Sequence, residues 1–527
     1  MSRTSITRRD WLKLAGVAGG AAAAMPFWSR HAAAAEGTGA VEIGSRRELL
    51  VDDHLIDTLD NARRVLHQPI PREISLVRNK PWEGNSSGYT TVFQDGDLYR
   101  MYYRGTHVAY SQGKSKRAHR EVYCYAESQD GINWTRPNLG LVEFDGSKKN
   151  NIIWDGVGSH NFTPFKDPNP DGSADAKYKA IARGRPLSRN ADDTYEHGLY
   201  AFQSADGIHW QLIQKTPVIT KGAFDSQNLA FWDELRGEYR CYLRDFRDGR
   251  DIRTCVSRDF VNWNEPQWLE YSPGRISQLY TNGVIPYYRA PHIFVGFPTR
   301  YVDHGWAEST KKLPQREYRE LVASSSRRSG TAFTDGMLMS SRDGLRFDVW
   351  PESFIRPGIQ RPGSWFYGDN YQNWGIVETR SVFEGAPNEL SFYVSEAGRQ
   401  KNGNRLRRYT LRVDGFVSVN APLAGGELVT RPIRFEGDRL QMNFSTSAAG
   451  SIAVEVQDQA GKPIAGFALA DCQVQYGDEL DRVVSWKGDA DLSRLAGKPV
   501  KLRFQLKDAD LYAFRFTGRQ GRQPNAN

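Results

Sequence analysis

One short phrase recurs along this chain and constrains its fold more than any other feature. It reads Ser128-Gln129-Asp130-Gly131-Ile132-Asn133-Trp134 and returns as Ser204-Ala205-Asp206-Gly207-Ile208-His209-Trp210. A third copy is Ser257-Arg258-Asp259-Phe260-Val261-Asn262-Trp263, and a fourth is Ser341-Arg342-Asp343-Gly344-Leu345-Arg346-Phe347. A degraded fifth copy is Arg412-Val413-Asp414-Gly415-Phe416. The intervals are 76, 53, 84 and 71 residues, so a large unit with variable loops is used five times. A unit repeated in this way buries its apolar faces against copies of itself. The Asp and Gly suit a tight turn between strands, and the aromatic residue can pack between neighbouring sheets.

Each copy of the phrase follows the same order of strand signals. In the first unit these are Tyr89-Thr90-Thr91-Val92-Phe93, then Leu98 to Arg104, then Val122 to Ala126. The third unit has Asn228 to Trp232, Tyr239 to Arg244 and Ile252 to Val256. Runs of β-branched and aromatic residues broken by Asp-Gly turns read as antiparallel hairpins. No long amphipathic helical pattern interrupts them. Five such units arranged radially predict an all-β chain whose main body is a five-bladed β-propeller. Several unrelated β-sandwich domains would supply as many strands, but not one phrase at the same place in every unit. After about Pro422 the phrase disappears and short alternating strands follow, predicting a C-terminal β-sandwich over 421–520. Residues 521–527 read as a frayed polar tail. Glu48 to Ile56 is a strand candidate that could close the propeller by completing its last blade, removing a free edge.

Thr7-Arg8-Arg9-Asp10-Trp11-Leu12-Lys13, an Ala/Gly-rich apolar run from Leu14 to Phe27 and a small-residue exit at Ala32 to Ala35 read as a twin-arginine export signal over 1–35. The apolar run is too short to span a bilayer comfortably. The expectation is therefore a periplasmic or secreted protein with no membrane attachment after signal cleavage, its propeller occupying 36–420. The first 35 residues hold five basic residues against one acidic, so about half of the chain's +8 net charge leaves with them. That balance and the lack of a basic block argue against nucleic acid as a partner. Four cysteines are too few for a disulfide framework, although Cys241 and Cys255 fall on strands expected to be neighbours. No Cys/His cluster has zinc spacing, and no cofactor or metal is expected.

In a propeller the innermost strands line a central channel, and ligands bind at its mouth. The second strand of each unit ends in a charged residue at one position of the repeat: Arg104, Arg183, Arg244, Arg300 and Glu396. These are either solvated strand ends and inter-blade ion pairs, or a set that converges on an anion, since the guanidinium fork matches carboxylate or sulfate. The segments leading into the first strands contain Glu83, His160, Asp225, Asn282 and Asp369 among aromatic and amide residues. Such a set stacks on sugar rings and hydrogen-bonds hydroxyls. Hydrolysis of a glycosidic bond needs two carboxylates across it. Asp225 is the first candidate, with Glu83 and Glu396 competing as its partner. His160, Asn282, Asp369 and the four arginines are expected to bind substrate. Asp95 and Asp167 read as hairpin-turn residues, and Asp130, Asp206, Asp259 and Asp343 as structural members of the recurring phrase.

Over about Val41 to Asn420 the chain resembles the five-bladed propeller glycoside hydrolases, the superfamily of β-fructosidases, arabinanases and mannoside phosphorylases. The recurring phrase resembles the Asp boxes of sialidases. In the superfamily an Asp of the first blade, an Asp of the second and a Glu of the third carry the reaction. This chain has Trp82-Glu83-Gly84-Asn85 in place of an Asn-Asp-Pro-Asn-Gly motif, and Phe165-Lys166-Asp167-Pro168, which resembles the family's Arg-Asp-Pro but falls in a different register of the repeat. It has Asp225 without a Glu-Cys pair. The expected activity is hydrolysis of an acidic or sulfated oligo- or polysaccharide. A polysaccharide lyase, with an arginine neutralising a uronate and His160 or a tyrosine taking the C5 proton, is one alternative; a non-catalytic glycan-binding protein is another.

Overall fold

A computed structural model describes residues 39–184, 195–275 and 277–518. The export signal expected over 1–35 and the tail 521–527 lie outside the described residues. The described chain is all-β apart from short helices.

The repeated units form five separate antiparallel sheets. The first contains Thr91–Asp95, Leu98–Gly105, Val122–Ser128 and Ile152–Trp154. The second contains Thr163–Lys166, Tyr178–Gly184, Gly198–Ser204 and Gln211–Leu212, and the third Leu229–Asp233, Glu238–Phe246, Arg250–Ser257 and Gln267–Trp268. The fourth contains Ile285–Tyr287, Ala290–Gly296, Met339–Ser341 and Arg346–Val349, extended by the parallel strand Glu270–Ser272. The fifth contains Val377–Thr379, Glu389–Glu396, Arg405–Arg412 and an early segment of the chain, Ile70–Val77.

The recurring phrase sits just after the third strand of each of the first three sheets, and its residues close a turn with their own side chains. Ser128 Oγ accepts from the Gly131 N–H at 2.9 Å, and Asp130 Oδ1 accepts from the N–H groups of Ile132 and Asn133, each at 2.8 Å. The same bonds recur at Ser204/Asp206, Ser257/Asp259 and Ser341/Asp343. The fourth position of the phrase takes a left-handed backbone, with φ of 67°, 79° and 77° at Gly131, Gly207 and Gly344. Glycine adopts this conformation without a side-chain clash. Phe260 holds the same place at φ 68°, and its ring contacts Phe165 and Tyr239 at 5.7 and 5.0 Å.

Each turn docks on the preceding sheet, which sets the order of the sheets. Trp210 of the second packs edge-on against Tyr102 of the first at 6.4 Å. Phe260 of the third meets Phe165 of the second at 5.7 Å, and Phe347 of the fourth meets Tyr242 of the third at 6.0 Å. Phe416, the last residue of the degraded fifth copy, packs on Tyr287 of the fourth at 5.2 Å. Trp134 of the first turn then reaches Tyr393 of the fifth sheet at 5.6 Å, completing a cycle. Each edge-to-face pair stabilises by roughly 0.5–1.5 kcal/mol beyond the area it buries. The innermost strands also touch in cyclic order. Asn161 donates to Phe224 O, Asn282 to Gln227 O, Trp374 Nε1 to Val284 O, and the Val92 N–H to Trp374 O.

Two expectations change here. Glu48 to Ile56 does not close the fifth sheet. Glu48–Leu49 pairs with Phe514 and Ala513, and Ile56–Asp60 pairs with Thr430 to Glu427. The closing strand is Ile70–Val77, paired with Arg405–Arg412. In the C-terminal region the expected short strands are parts of longer ones, and its eight strands belong to one continuous hydrogen-bonded ladder. Its backbone is a pair of long strands, Arg439–Gln457 and Lys501–Thr517, joined by three segments from before residue 67. The long pair loses register between Thr446 and Ser451, where Gly450 lies against the backbone of Lys507 and Asp508. Its core includes Phe435 stacked on Phe516 at 3.7 Å and Trp486 against Phe467 at 5.3 Å.

The fourth unit departs most from the repeat. Its second strand stops at Gly296, before Phe297-Pro298, and a new strand Thr299–Asp303 joins Gln278–Leu279 and Ala332–Gly336 in a separate sheet. Proline has no N–H to continue a ladder. Between Asp303 and Ala332 the chain inserts the helix Arg316–Ser325, flanked by two single turns of helix. This helix reaches the Val108–Ser111/Lys114–Arg117 hairpin of the first unit, where the Gly113 N–H bonds Ser324 Oγ at 2.8 Å. Cys241 and Cys255 are partners across two strands of the third sheet, and both are free thiols.

Candidate active site

The segments leading into the inner strands bring Tyr89, His160, Asp225, Tyr280, Tyr367 and Tyr371 together at one end of the cycle. Asp225 is the open acid of this group. Its side chain is 45% exposed and lies 3.6 Å from Arg244 Nη1, which also donates to the Asp225 carbonyl at 2.9 Å. Asp225 stands close enough to Tyr89, His160, Tyr280 and Arg328 to bias the ionisation of each. Phe224, just before it, takes a left-handed backbone at φ 57°, as do Tyr89 at 48° and Asn370 at 60°. Non-glycine residues held there carry strain, which clusters at functional sites.

The aromatic floor is tyrosine. Tyr280 contacts Tyr371 at 5.5 Å and Tyr367 at 6.0 Å, and Tyr301 contacts Tyr367 at 5.6 Å. Burial pushes the Tyr89 phenol up to about 12, with Arg104 opposing the shift and Asp225 adding to it. Burial and the neighbouring phenols also hold Tyr280, Tyr367 and Tyr371 above the ordinary tyrosine range. These hydroxyls therefore stay protonated and offer donors.

Arginines ring the floor. Arg104 lies 4.7 Å from the Tyr89 ring, Arg244 5.1 Å from Tyr280 and Arg250 3.9 Å from Tyr301. Arg328, from the helical insertion, and Arg399 lie 5.3 and 4.8 Å from Tyr367. On the first-sheet side, Glu121 takes His160 Nδ1 at 3.0 Å, Arg117 at 3.2 Å and Arg104 at 3.8 Å. Burial raises the Glu121 carboxyl, but His160, Arg104 and Arg117 outweigh it and hold the group at about 2. Burial also lowers His160, with Glu121 opposing, so its ring is predominantly neutral near pH 7.

The predicted residues divide sharply. Asp225, His160, Arg104 and Arg244 do converge. Arg183 stands at the same place in the second sheet as Arg244 in the third: the backbone N–H groups of the two bond Asn161 and Asn228 Oδ1 in turn, and the Arg183 side chain is buried. Arg300 does not join them. Pro298 breaks the strand ahead of it, and its guanidinium is held by both carboxylate oxygens of Asp335, one at 2.9 Å and one at 2.5 Å.

Glu83 is not an open carboxylate. Its side chain is fully buried and accepts from Tyr103 Oη at 2.6 Å, Arg136 Nε at 2.8 Å and the Lys80 N–H at 3.0 Å. Glu396 is held by Arg407 at 2.8 Å and Arg361 at 3.2 Å. Asp369 accepts from the Phe366 and Gly398 N–H groups at 2.9 and 2.8 Å, joining two loops. Burial pushes its carboxyl up to about 7, and nearby Glu396 adds to the shift. Asn282 is buried and donates to Gln227 O and Tyr242 O. It is one of a structural set with Asn161, Asn228 and Asn373, each tying an inner strand to neighbouring backbone. That recurrence was visible in the sequence beside the residues picked out there. Glu121, Arg250 and Arg328 escaped the sequence reading because they lie just before or at the start of a third strand, or in an insertion, outside the repeated positions compared.

No family model and no curated protein matches the sequence. Among solved structures, the chain path is similar to a glycoside hydrolase at TM-score 0.41 and 11% identity, over 66% of this chain and 92% of that one. A thermostable family-43 glycoside hydrolase is similar at TM-score 0.39 and 12% identity, over 65% and 96%. An N-acetylgalactosamine deacetylase from F. plautii, in complex with blood group B trisaccharide, is similar at TM-score 0.39 and 12% identity, over 66% and 95%. Likeness at this level assigns neither residues nor reaction.

Proposed function

We propose that the chain is an exported five-bladed β-propeller glycoside hydrolase that acts on an acidic glycan, with Asp225 as the carboxylate at the scissile bond. The observation that carries this reading is the contrast among the acids: Asp225 is open to solvent within a floor of tyrosines and arginines, while Glu83, Glu396 and Asp369 are buried and engaged. Protonated phenols donate to sugar hydroxyls and stack on ring faces. The guanidinium groups of Arg104, Arg244 and Arg328 supply the charge that a carboxylate or sulfate needs. His160, braced by Glu121 and adjacent to Asp225, takes the second proton-handling role first assigned to Glu83 or Glu396. A neutral imidazole that donates Nδ1–H to a carboxylate keeps Nε2 as its acceptor, here 3.4 Å from Arg104 Nη1, for a proton from water.

That same His160–Glu121 pair favours elimination as the second reading. There the imidazole takes the proton α to a uronate carboxylate, an arginine neutralises that carboxylate, and a phenol protonates the leaving oxygen.

Incubation with uronate-bearing and sulfated oligosaccharides decides between the two. New reducing ends without ultraviolet absorbance are expected for hydrolysis; a conjugated, absorbing product would establish elimination instead. Binding of these sugars with no change in chain length overturns both. Full turnover by Asp225→Asn removes Asp225 from the reaction.

A further inference from the structure

A second concavity lies beside the tyrosine floor, between the first and fifth sheets, with a volume of about 1020 Å³. That is the size of a site for a drug-sized ligand or several sugar units. Its lining holds five lysines and arginines, Arg78, Lys80, Arg361, Lys401 and Arg405, against two carboxylates, Glu83 and Glu396. Both carboxylates are already committed. Glu83 is bound by Arg136 and Tyr103, and Glu396 by Arg407 and Arg361. Among the described residues Lys80, Lys401 and Arg405 have no ion-pair partner, and each is exposed.

The floor of the concavity carries charge without a matching anion. Arg78 is fully buried, and its guanidinium donates to Ser87 O at 3.1 Å, Thr90 Oγ1 at 2.5 Å and Asn404 Oδ1 at 3.4 Å, all neutral acceptors. Gln400 Oε1 accepts from Gln315 Nε2 at 3.0 Å, and the buried Gln400 Nε2 has no hydrogen-bond partner among the described residues. A buried donor left without a hydrogen bond is unfavourable, so the position is suited to an acceptor from outside.

The concavity and the tyrosine floor share a wall at Arg399. The Arg399 guanidinium lies over Tyr367 and bonds Tyr110 Oη at 2.5 Å, on the floor side. The Arg399 carbonyl accepts from Tyr318 Oη at 2.5 Å, and Tyr318 and Gln400 line the concavity. A chain leaving the floor past Arg399 therefore meets Lys401, Arg405 and Lys80.

We propose that this concavity is a second anion subsite, which holds a carboxylate- or sulfate-bearing unit of the glycan whose reacting unit occupies the tyrosine floor. The subsite rests on the reading that the substrate is an acidic glycan, but not on the chemistry done to it. Neutral sugars of the same length would lose this hold, and longer acidic chains would gain affinity over short ones.

The test measures binding of polygalacturonate and dextran sulfate, with dextran as the neutral control, to the full chain and to Lys80→Ala/Lys401→Ala/Arg405→Ala. The triple variant is expected to bind at least one polyanion tenfold or more weakly and to show a shallower dependence on salt, since fewer counterions are released. The triple Lys80→Arg/Lys401→Arg/Arg405→Lys variant should retain binding, and that retention separates charge from folding. Which polymer the wild type prefers tells carboxylate from sulfate. Equal binding by wild type and the alanine variant overturns the subsite, as does failure of the wild type to bind either polyanion. Binding is measured without turnover, so a failed hydrolysis reading leaves this result standing, and a failed subsite leaves the Asp225 assignment standing.

Discussion

The aspartates of the recurring turns and Asp225 are the same residue in opposite settings. In the turns, one carboxylate oxygen accepts two backbone N–H groups and the serine hydroxyl, and in the first turn the other accepts the Asn133 amide at 2.8 Å. The Asp225 carboxylate has no such local partners; it faces Arg244 Nη1 at 3.6 Å. A carboxylate saturated by its own chain stabilises a turn and has little left to offer a ligand. One with free lone pairs contributes little to the fold and can meet a substrate. The repeat multiplies the first kind and leaves the second as an exception within one unit.

The sharpest way to break this contrast is to exchange the two kinds of aspartate for asparagine. Asp225→Asn is expected to lower kcat on the true substrate by about a thousandfold, with a thermal midpoint close to wild type; Asp206→Asn should leave kcat unchanged. A comparable loss of kcat in both variants would erase the distinction.

Glu83 extends the comparison to a carboxylate that looked catalytic in the sequence. Glu83→Gln leaves Arg136 without its buried partner and should destabilise the fold by about 3 kcal/mol, read as a lower denaturant midpoint with kcat per folded molecule retained. A variant with wild-type stability and no activity would return Glu83 to the chemistry.

Removing a single turn aspartate, as in Asp130→Ala, should cost about 1 kcal/mol and nothing in turnover. Its pH dependence follows from the shift. Burial raises the Asp130 carboxyl slightly, but the N–H groups of Asn133 and Ile132 and the Asn133 amide bring it from 3.8 down to about 2. A native value below the unfolded one gives stability that is present above about pH 4 and is lost as the pH falls toward 2. The gap in melting temperature between wild type and Asp130→Asn should therefore be widest near pH 6 and narrow below pH 3, by a fraction of the total because the group is largely exposed. A gap that widens in acid would contradict the bonding assigned to the turn.

The sheets were legible because they rest on local rules. The Ser, Asp and left-handed fourth residue make their bonds within a few positions, and the aromatic that follows needs only an adjacent sheet. The open state of Asp225 and the convergence of Arg104, Arg244 and His160 followed from comparing equivalent positions. What failed depended on partners distant in sequence. Glu83 is filled by Arg136, Glu396 by Arg361 and Arg407, and nothing near either acid announces those arginines. Arg300 was misplaced by a single proline, which shifts the rest of its strand into another sheet. The C-terminal residues were read as separate short strands because the bends in two long ones resemble turns, and their N-terminal partners lie more than 350 positions away.

The pairing of Ile70–Val77 with Arg405–Arg412 makes the cycle of sheets a clasp rather than a weld. Within the cycle every other sheet is built from one stretch of chain, so among the five sheets of the cycle only this seam joins stretches more than 300 positions apart. Its ladder is also irregular, losing register on either side of Arg407. Amide hydrogens along 70–77 should therefore exchange with solvent before those of the inner strands, and the annulus should spring open there first when the protein is strained.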